Sequence, residues 1–320
     1  MEQENESKAD KSNLAQRFTN IFPSANIGYR FSKTGNLNLN YSGRSQQPTI
    51  DQLQSVPDNR NTLYLMLGNP NLKPSFYHNL NISVQQYNSK TFWNAGLGFT
   101  TATNQIVYET WFDSIQISKP INSNGNYSLT YNTNFTRSWK KKDWSFRLML
   151  SNGGYYSRNV SYTNKIENIT KTYSFSQRIG LTYTFKELIT LMPAFIIRYN
   201  DTRYSIEQSQ PTENINKAIT MSLYFNWPKR LILEHNFQYN YNSRTAPGFP
   251  KGVSMWHMAV NYQLFKDRQS IIRLAIYDLL KQNTSIFRTI TPTYIEDTQV
   301  KVLQQYFLVS FVYNLKQFGK

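Results

Sequence analysis

The sequence predicts an all-β protein, a transmembrane antiparallel up-and-down β-barrel. Three observations predict it. Polar and apolar residues alternate through one segment after another, the connections between segments alternate short and long, and aromatic residues are abundant while charged ones are scarce.

The alternation is the primary signal. From Asn36 to Ser42, Leu37, Leu39 and Tyr41 interleave with Asn36, Asn38, Asn40 and Ser42. From Asn126 to Thr136, Tyr127, Leu129, Tyr131 and Phe135 oppose Asn126, Ser128, Thr130, Asn132, Asn134 and Thr136. From Leu231 to Asn242, Leu231, Leu233, Phe237, Tyr239 and Tyr241 oppose Glu234, Asn236, Gln238, Asn240 and Asn242. Successive side chains of a strand point to opposite faces, so a period of two places all the apolar residues on one side. The same pattern predicts 13 strands, at 22–32, 36–44, 75–88, 91–109, 122–138, 143–158, 170–186, 189–206, 214–228, 230–243, 252–266, 269–278 and 301–315. Residues 1–21 read as a polar segment or part of an outer loop, and 22–320 as the barrel portion.

The connections form two classes that take turns along the chain. Short ones fall at 32–35, 88–90, 139–143, 186–188, 227–230 and 266–268; longer ones at 45–74, 110–121, 159–169, 207–213, 244–251 and 279–300. A barrel with short periplasmic turns and long extracellular loops requires this order. The short turns carry Lys or Arg, with Trp93, Trp139, Trp144, Phe225, Trp227 and Phe265 close by. Aromatic girdles mark membrane interfaces because a ring with a polar edge suits the headgroup level.

Composition agrees. Charged residues make up 17% of the 320 and aromatic residues 15%, whereas soluble domains carry about a quarter charged residues. Asn, Ser, Thr and Gln fill the difference, and uncharged polar side chains suit a wet lumen. No run approaches the roughly 18 apolar residues of a membrane-crossing helix, but a tilted strand needs only about 10 residues, half of them polar. The absence of Cys excludes a disulfide framework and a Cys-ligated metal site. The net charge of +16 is spread over turns rather than gathered with stacking aromatics, which argues against a nucleic-acid partner.

The N-terminus, Met1-Glu2-Gln3-Glu4-Asn5-Glu6, lacks the basic and apolar regions of a signal peptide. The signal is therefore expected either to have been removed or to lie in a longer polypeptide. Bacterial single-chain barrels have an even number of strands. An odd count that begins with a strand running toward the periplasm predicts further strands before residue 22.

Four stretches carry a family resemblance. Tyr41-Ser42-Gly43-Arg44-Ser45-Gln46-Gln47-Pro48-Thr49-Ile50-Asp51-Gln52-Leu53 looks like an upward strand entering its outer loop. Gly68-Asn69-Pro70-Asn71-Leu72-Lys73-Pro74-Ser75 resembles a GNPNLKPE turn, with Ser75 in place of the usual Glu. Tyr277-Asp278-Leu279-Leu280-Lys281-Gln282-Asn283 resembles a DLLNQN stretch, and Tyr306-Phe307-Leu308-Val309-Ser310-Phe311-Val312-Tyr313-Asn314-Leu315 resembles a closing strand. Together, from residue 22 on, the chain resembles the C-terminal part of TonB-dependent outer-membrane receptors, specifically the Bacteroidetes-type outer-membrane β-barrel family.

The resemblance implies a bacterial outer-membrane location and a 22-stranded barrel filled by a plug domain. It also implies partners: lipid with lipopolysaccharide, the plug, the TonB complex and a bulky imported ligand. This chain lacks the plug, the TonB-contacting segment and roughly nine of those strands, so import by the chain alone is not expected. A non-transporting surface barrel that acts as an adhesin or docking platform is the alternative; a porin-like channel needs a complete barrel. The longest loops, 45–74 and 279–300, are the candidates for ligand contact, with no single ligand-binding residue assigned.

No enzyme is expected, and no catalytic residue, cofactor or metal site. His78, His235 and His257 lie on separate predicted strands without paired metal-ligand spacing. Glu234 and His235 are strand neighbours that point to opposite faces, so they form no dyad. Gly153-Gly154 lacks a P-loop Lys-Ser/Thr and reads as a bend in a long strand. Lys140-Lys141-Lys142 reads as a cap on the periplasmic rim. Pro70 and Pro74 suit an ordered turn because Pro fixes φ and donates no hydrogen bond. Arg30, Arg147, Arg178 and Arg198 fall on the polar phase of their strands, so they are expected to face the lumen and meet either structural partners, an anionic ligand or acidic plug residues.

Overall fold

The computed structural model describes residues 2–3, 16–17, 21–54, 58–61, 64–206, 212–228, 230–265, 269–290 and 295–313. Thirteen strands form the wall. They are β1 (Ser24–Ser32), β2 (Gly35–Gln46), β3 (Ser75–Tyr87), β4 (Thr91–Thr103), β5 (Asn126–Lys140), β6 (Trp144–Thr163), β7 (Ile166–Phe185), β8 (Ile189–Tyr204), β9 (Asn214–Phe225), β10 (Leu231–Asn242), β11 (Gly252–Gln263), β12 (Ser270–Tyr277) and β13 (Tyr306–Tyr313). Each pairs antiparallel with its predecessor and successor, an up-and-down meander that curls into a barrel wall. Every predicted strand is present.

The cross-strand register sorts side chains as the alternation requires. One transverse row runs Leu39, Ile82, Leu97, Tyr131, Gly154, Phe175 and Tyr199. The adjacent row runs Asn40, Asn81, Gly98, Thr130, Tyr155, Ser174 and Asn200. On the apolar side, large residues such as Ile27 (61% exposed), Leu97 (54%) and Val309 (71%) have no protein cover. Such a continuous apolar face needs a non-aqueous neighbour. Lipid supplies it, and the polar rows face the lumen. No described helix is long and apolar enough to cross a membrane, so crossing falls to the strands.

Several details differ from the sequence expectation. The strand predicted over 91–109 stops at Thr103, because Asn104 takes a left-handed φ of 52° and turns the chain. The loop predicted over 110–121 is a hairpin, Gln105–Asp113 with Ile115–Ser123, turning at Ser114 (φ 62°). The loop predicted over 159–169 is instead the outer end of β6 and β7, which run 20 residues each and meet in a two-residue turn at Asn164-Lys165, φ 52° and 64°. Paired positive-φ residues match the right-handed twist of a hairpin, and Asn tolerates that region. There the alternation of connection lengths breaks, and the reach beyond the membrane is carried by strand. The closing strand is shorter than the predicted 301–315, at Tyr306–Tyr313, and 314–315 lie outside the described residues, as do 1, 4–15 and 18–20 of the predicted polar segment. The predicted connections 207–213, 227–230 and 266–268 are only partly described or not described at all.

Gly153-Gly154 does not bend β6. The registers with β5 and β7 continue unbroken through both glycines. A Cβ on Gly154 would lie 2.3 Å from the Ser174 carbonyl oxygen and 2.8 Å from the Tyr131 ring, so the residue is small to admit a close approach.

The aromatic girdle lies beside the short turns. Trp139 and Phe146 rings are 5.4 Å apart, with Trp144 and Tyr183 alongside, and Arg137 and Lys141 lie over Trp139 and Trp144 at 5.2 and 5.7 Å. The Lys140–Lys142 run thus belongs to the interfacial rim, where a cation over a ring keeps its charge in water while its stem covers apolar surface.

The two terminal strands of the wall remain edges. Among the described residues no register joins β13 to β1, and both are exposed along almost their whole length.

Candidate functional site

The lumen face and the outer loops are the surfaces on which recognition is possible. Arg30, Arg147, Arg178 and Arg198 all lie on the polar phase. Arg147 opposes Ser138 and Thr182, Arg178 opposes Ser151 and Ile196, and Arg198 opposes Ser176 and Asn216. Arg147 donates through Nε to Ser138 Oγ at 3.2 Å. A fifth lumen arginine, Arg273, escaped the sequence reading although it shares the same phase. Its Nη1 lies 2.7 Å from Glu234 Oε2 and 2.9 Å from Asn261 Oδ1, and Asn261 Nδ2 donates to Glu234 Oε1 at 2.8 Å. This closed triad is a structural ion pair, largely shielded in the wall. The lumen arginines therefore divide into those tied into the wall and those left open.

The histidines are accounted for structurally. His78 Nδ1 meets Tyr41 Oη at 2.8 Å, His235 sits against Trp256, and His257 Nδ1 accepts from the Asp278 backbone N–H at 2.9 Å. Glu234 turns to the lumen while His235 lies on the opposite phase. No cluster of metal-ligating residues exists among the described residues.

The Gly68–Ser75 turn is the hub of an outer module. A one-turn helix, Ile50–Leu53, is capped by Thr49 and Gln52 in a reciprocal capping box. Asn69 N–H donates to Gln52 O at 2.7 Å, and Asn69 Nδ2 donates to Pro120 O at 2.9 Å. Tyr64–Met66 pairs in parallel with Gln116–Ser118. Asn122 accepts from Lys73 N–H at 2.8 Å and donates to the Lys73 and Asn104 carbonyls at 2.8 and 2.7 Å. Ser75 Oγ donates to Asn104 O and accepts from Ile106 N–H, both at 3.0 Å. The Ser75 hydroxyl thus fixes the Asn104 corner, and the residue is 1% exposed. Leu53, Leu72 and Val107 fill the small core beneath. The turn shapes the loops, as the placement of its prolines suggested. What the sequence did not show is that the described residues of 45–74 fold onto the 105–123 hairpin, because Asn69 and Asn122 act over separations of 51 and 49 residues.

The Tyr277–Asn283 stretch is a second staple. Asp278 is 2% exposed and in the left-handed region (φ 49°). Its carboxylate accepts from the Gln282 and Asn283 N–H groups at 3.1 and 2.9 Å. Gln282 Oε1 accepts from Ser254 N–H on β11 at 3.0 Å, and Asn283 Nδ2 donates to Leu303 O at 3.0 Å. Beyond it, Ser285–Ile290 and Ile295–Val300 form a hairpin clamped by a bidentate Arg288–Asp297 pair, both contacts 2.7 Å. The Arg288 guanidinium holds the Asp297 carboxyl below its ordinary range through these hydrogen bonds. Nearby, burial pushes the Arg244 guanidinium down, and its buried Nη2 has no hydrogen-bond partner among the described residues.

A family model described as an outer membrane protein beta-barrel family matches residues 1–166 and 155–313. No curated protein matches the chain. Among solved structures, the chain is similar to the ferric yersiniabactin uptake receptor FyuA from Yersinia pestis, with a TM-score of 0.46 and 11% identity over 92% of this chain and 50% of that one. The chain thus spans half the length of that receptor.

Two outcomes follow from the outer module. A Cβ at Gly68 would overlap Gln54 O at 1.6 Å, so Gly68→Ala is expected to destabilise the 47–74 loop by about 1–3 kcal/mol. Hydrogen exchange at Leu53 and Asn69 amides reads this, with β6–β7 protection unchanged. The Asp297 carboxyl is depressed in the folded state, so the Arg288 clamp contributes fully above the unfolded carboxylate range and is lost as pH falls through the depressed value. Limited proteolysis of 285–300 is expected to stay constant from neutral pH down to the ordinary Asp range and to quicken only below it. Asp297→Asn should quicken it at every pH.

Proposed function

The chain belongs to the outer membrane protein β-barrel family, and from that premise we propose that it is the wall and outer-loop portion of a TonB-dependent receptor-like importer of the Bacteroidetes type. In this reading the 13 strands are the C-terminal part of a barrel of about 22, and the wall joins further strands along β1 and β13. A plug fills the lumen, the outer loops capture a bulky ligand, and TonB supplies the force that displaces the plug. The protein is not an enzyme; its work is capture and passage.

One observation carries the reading: a long antiparallel meander with two exposed edges and a lumen lined by uncharged polar residues and several arginines. An open edge in lipid leaves N–H and C=O groups unsatisfied, at several kcal/mol each, so the wall is built to be completed. A lumen so polar has to be filled or gated if the membrane is to remain a barrier. The alternative of an adhesin or docking platform draws on the internal hydrogen bonding of the 47–125 loops, which presents a preformed surface.

The experiment is deletion of the whole gene in its native host, followed by measurement of solute accumulation with and without a protonophore. Loss of protonophore-sensitive uptake of at least one solute supports the importer. If every energy-dependent uptake is unchanged while surface attachment is lost, the platform reading replaces it.

A further inference from the structure

A cavity of about 310 Å³ opens on the lumen face at the outer ends of β8 to β11, beneath the 243–251 connection. Its floor is set by cross-strand register. Arg198, Asn216 and Asn242 form one row across β8, β9 and β10; Ile196, Ala218, Asn240 and Val253 form the next, reaching β11. Ala218 is the small residue between larger neighbours, which leaves the depression. Phe249 and Pro250 form an apolar roof, and Gly248 (φ 84°) turns the chain that carries them. The size sits at the lower end of the range for small-molecule sites, roughly 300–1,000 Å³.

The lining is chemically one-sided. It contains no acidic residue, and Arg198 and Lys251 bring positive charge to it. Lys217, although at the cavity, is on the lipid-facing phase with its ammonium over the Tyr241 ring at 5.8 Å. Arg198 is exposed and makes no hydrogen bond or ion pair among the described residues, in contrast to Arg273, which is closed by Glu234. The amides are partly open too. Asn240 Oδ1 accepts from Gln238, which leaves its Nδ2 to donate, and Asn283 Nδ2 is engaged, which leaves its Oδ1 to accept. Asn216 has no side-chain partner among the described residues. A guanidinium left open beside amides of both polarities fits a carboxylate flanked by hydroxyls, because the planar fork matches a carboxylate and each hydroxyl needs one donor and one acceptor.

We propose that this cavity is a subsite for a polyhydroxylated carboxylate of the sugar-acid class. Arg198 takes the carboxylate, Asn216, Asn240 and Asn283 take hydroxyls, and Phe249 covers the carbon face of the ring. The proposal rests on the reading of the chain as a ligand-capturing wall, but binding is read on the isolated chain, so it stands or falls apart from energised uptake.

The test is saturation-transfer NMR on the full chain in detergent, with D-glucuronate and D-glucose as probes that differ in the carboxylate. Glucuronate is expected to bind saturably and at least tenfold more tightly than glucose. Arg198→Gln should weaken glucuronate at least tenfold and glucose little. Lys251→Gln, in the exposed outer connection, should weaken glucuronate by a smaller factor, and Lys90→Gln, in a periplasmic turn, should leave it unchanged. Circular dichroism must show the same strand content for every variant. Equal affinity for the two probes, no binding of glucuronate, or retention of glucuronate binding by a folded Arg198→Gln protein overturns the proposal.

Discussion

The obligation of every backbone N–H and C=O in lipid to find a partner inside the protein governs this structure. A helix meets it alone; a strand meets it only through its neighbours. The chain answers with twelve consecutive antiparallel ladders, from β1–β2 to β12–β13, so that eleven strands are satisfied on both sides. Register then does the sorting. With one row of Leu, Ile, Phe and Tyr against lipid, a slip by a single residue would turn the Asn and Thr row outward, so the apolar phase fixes the pairing as firmly as the hydrogen bonds do. The same obligation explains why β1 and β13 are the unresolved feature of the wall. Their outer hydrogen-bonding edges have no partner strand among the described residues.

Outside the membrane the demand relaxes, because water can satisfy loops, yet the outer segments are tied down by side-chain amides. Asn69, Asn122 and Gln282 each reach backbone groups on a different segment, and Asp278 folds the Leu279–Asn283 turn that carries Gln282. Each bond contributes about 1 kcal/mol, too little alone to hold the described part of a long connection, so they act together with the small core of Leu53, Leu72 and Val107. The result is a preformed outer surface on one part of the rim. The hairpin at 285–300 depends more on a single charge pair.

The wall was legible in the sequence because its signal is local. Period two in Asn126–Thr136 or Leu231–Asn242 dictates a strand whatever lies across from it, and Arg30, Arg147, Arg178 and Arg198 could be placed on the lumen phase by counting. Loop architecture was not legible, because it rests on distant pairs. Nothing near Asn122 announces Lys73, and nothing near Tyr64 announces Ser118. Asn104 is a local cue to one of these corners. An Asn inside a run of apparent strand permits a left-handed corner, and here it separates the wall strand from the hairpin. The Glu234–Arg273–Asn261 triad was within reach, since all three residues share the polar phase, but the register that brings them together is set across three strands.

Lumen chemistry follows from the same sorting. Asparagine and threonine rows can be wetted without fixing charge, so the few arginines stand out, and their difference lies in their neighbours: Glu234 answers Arg273, while Arg198 faces amides. All of this depends on which phase faces lipid. The chain contains no Cys, so single cysteines at Leu129 and Thr130, neighbours on β5, can each carry a fluorophore in bilayers of brominated lipid. The account predicts strong quenching by brominated chains at 129 and little at 130, with a water-soluble quencher giving the reverse. Equal quenching at both positions, or stronger lipid quenching at 130, would contradict it.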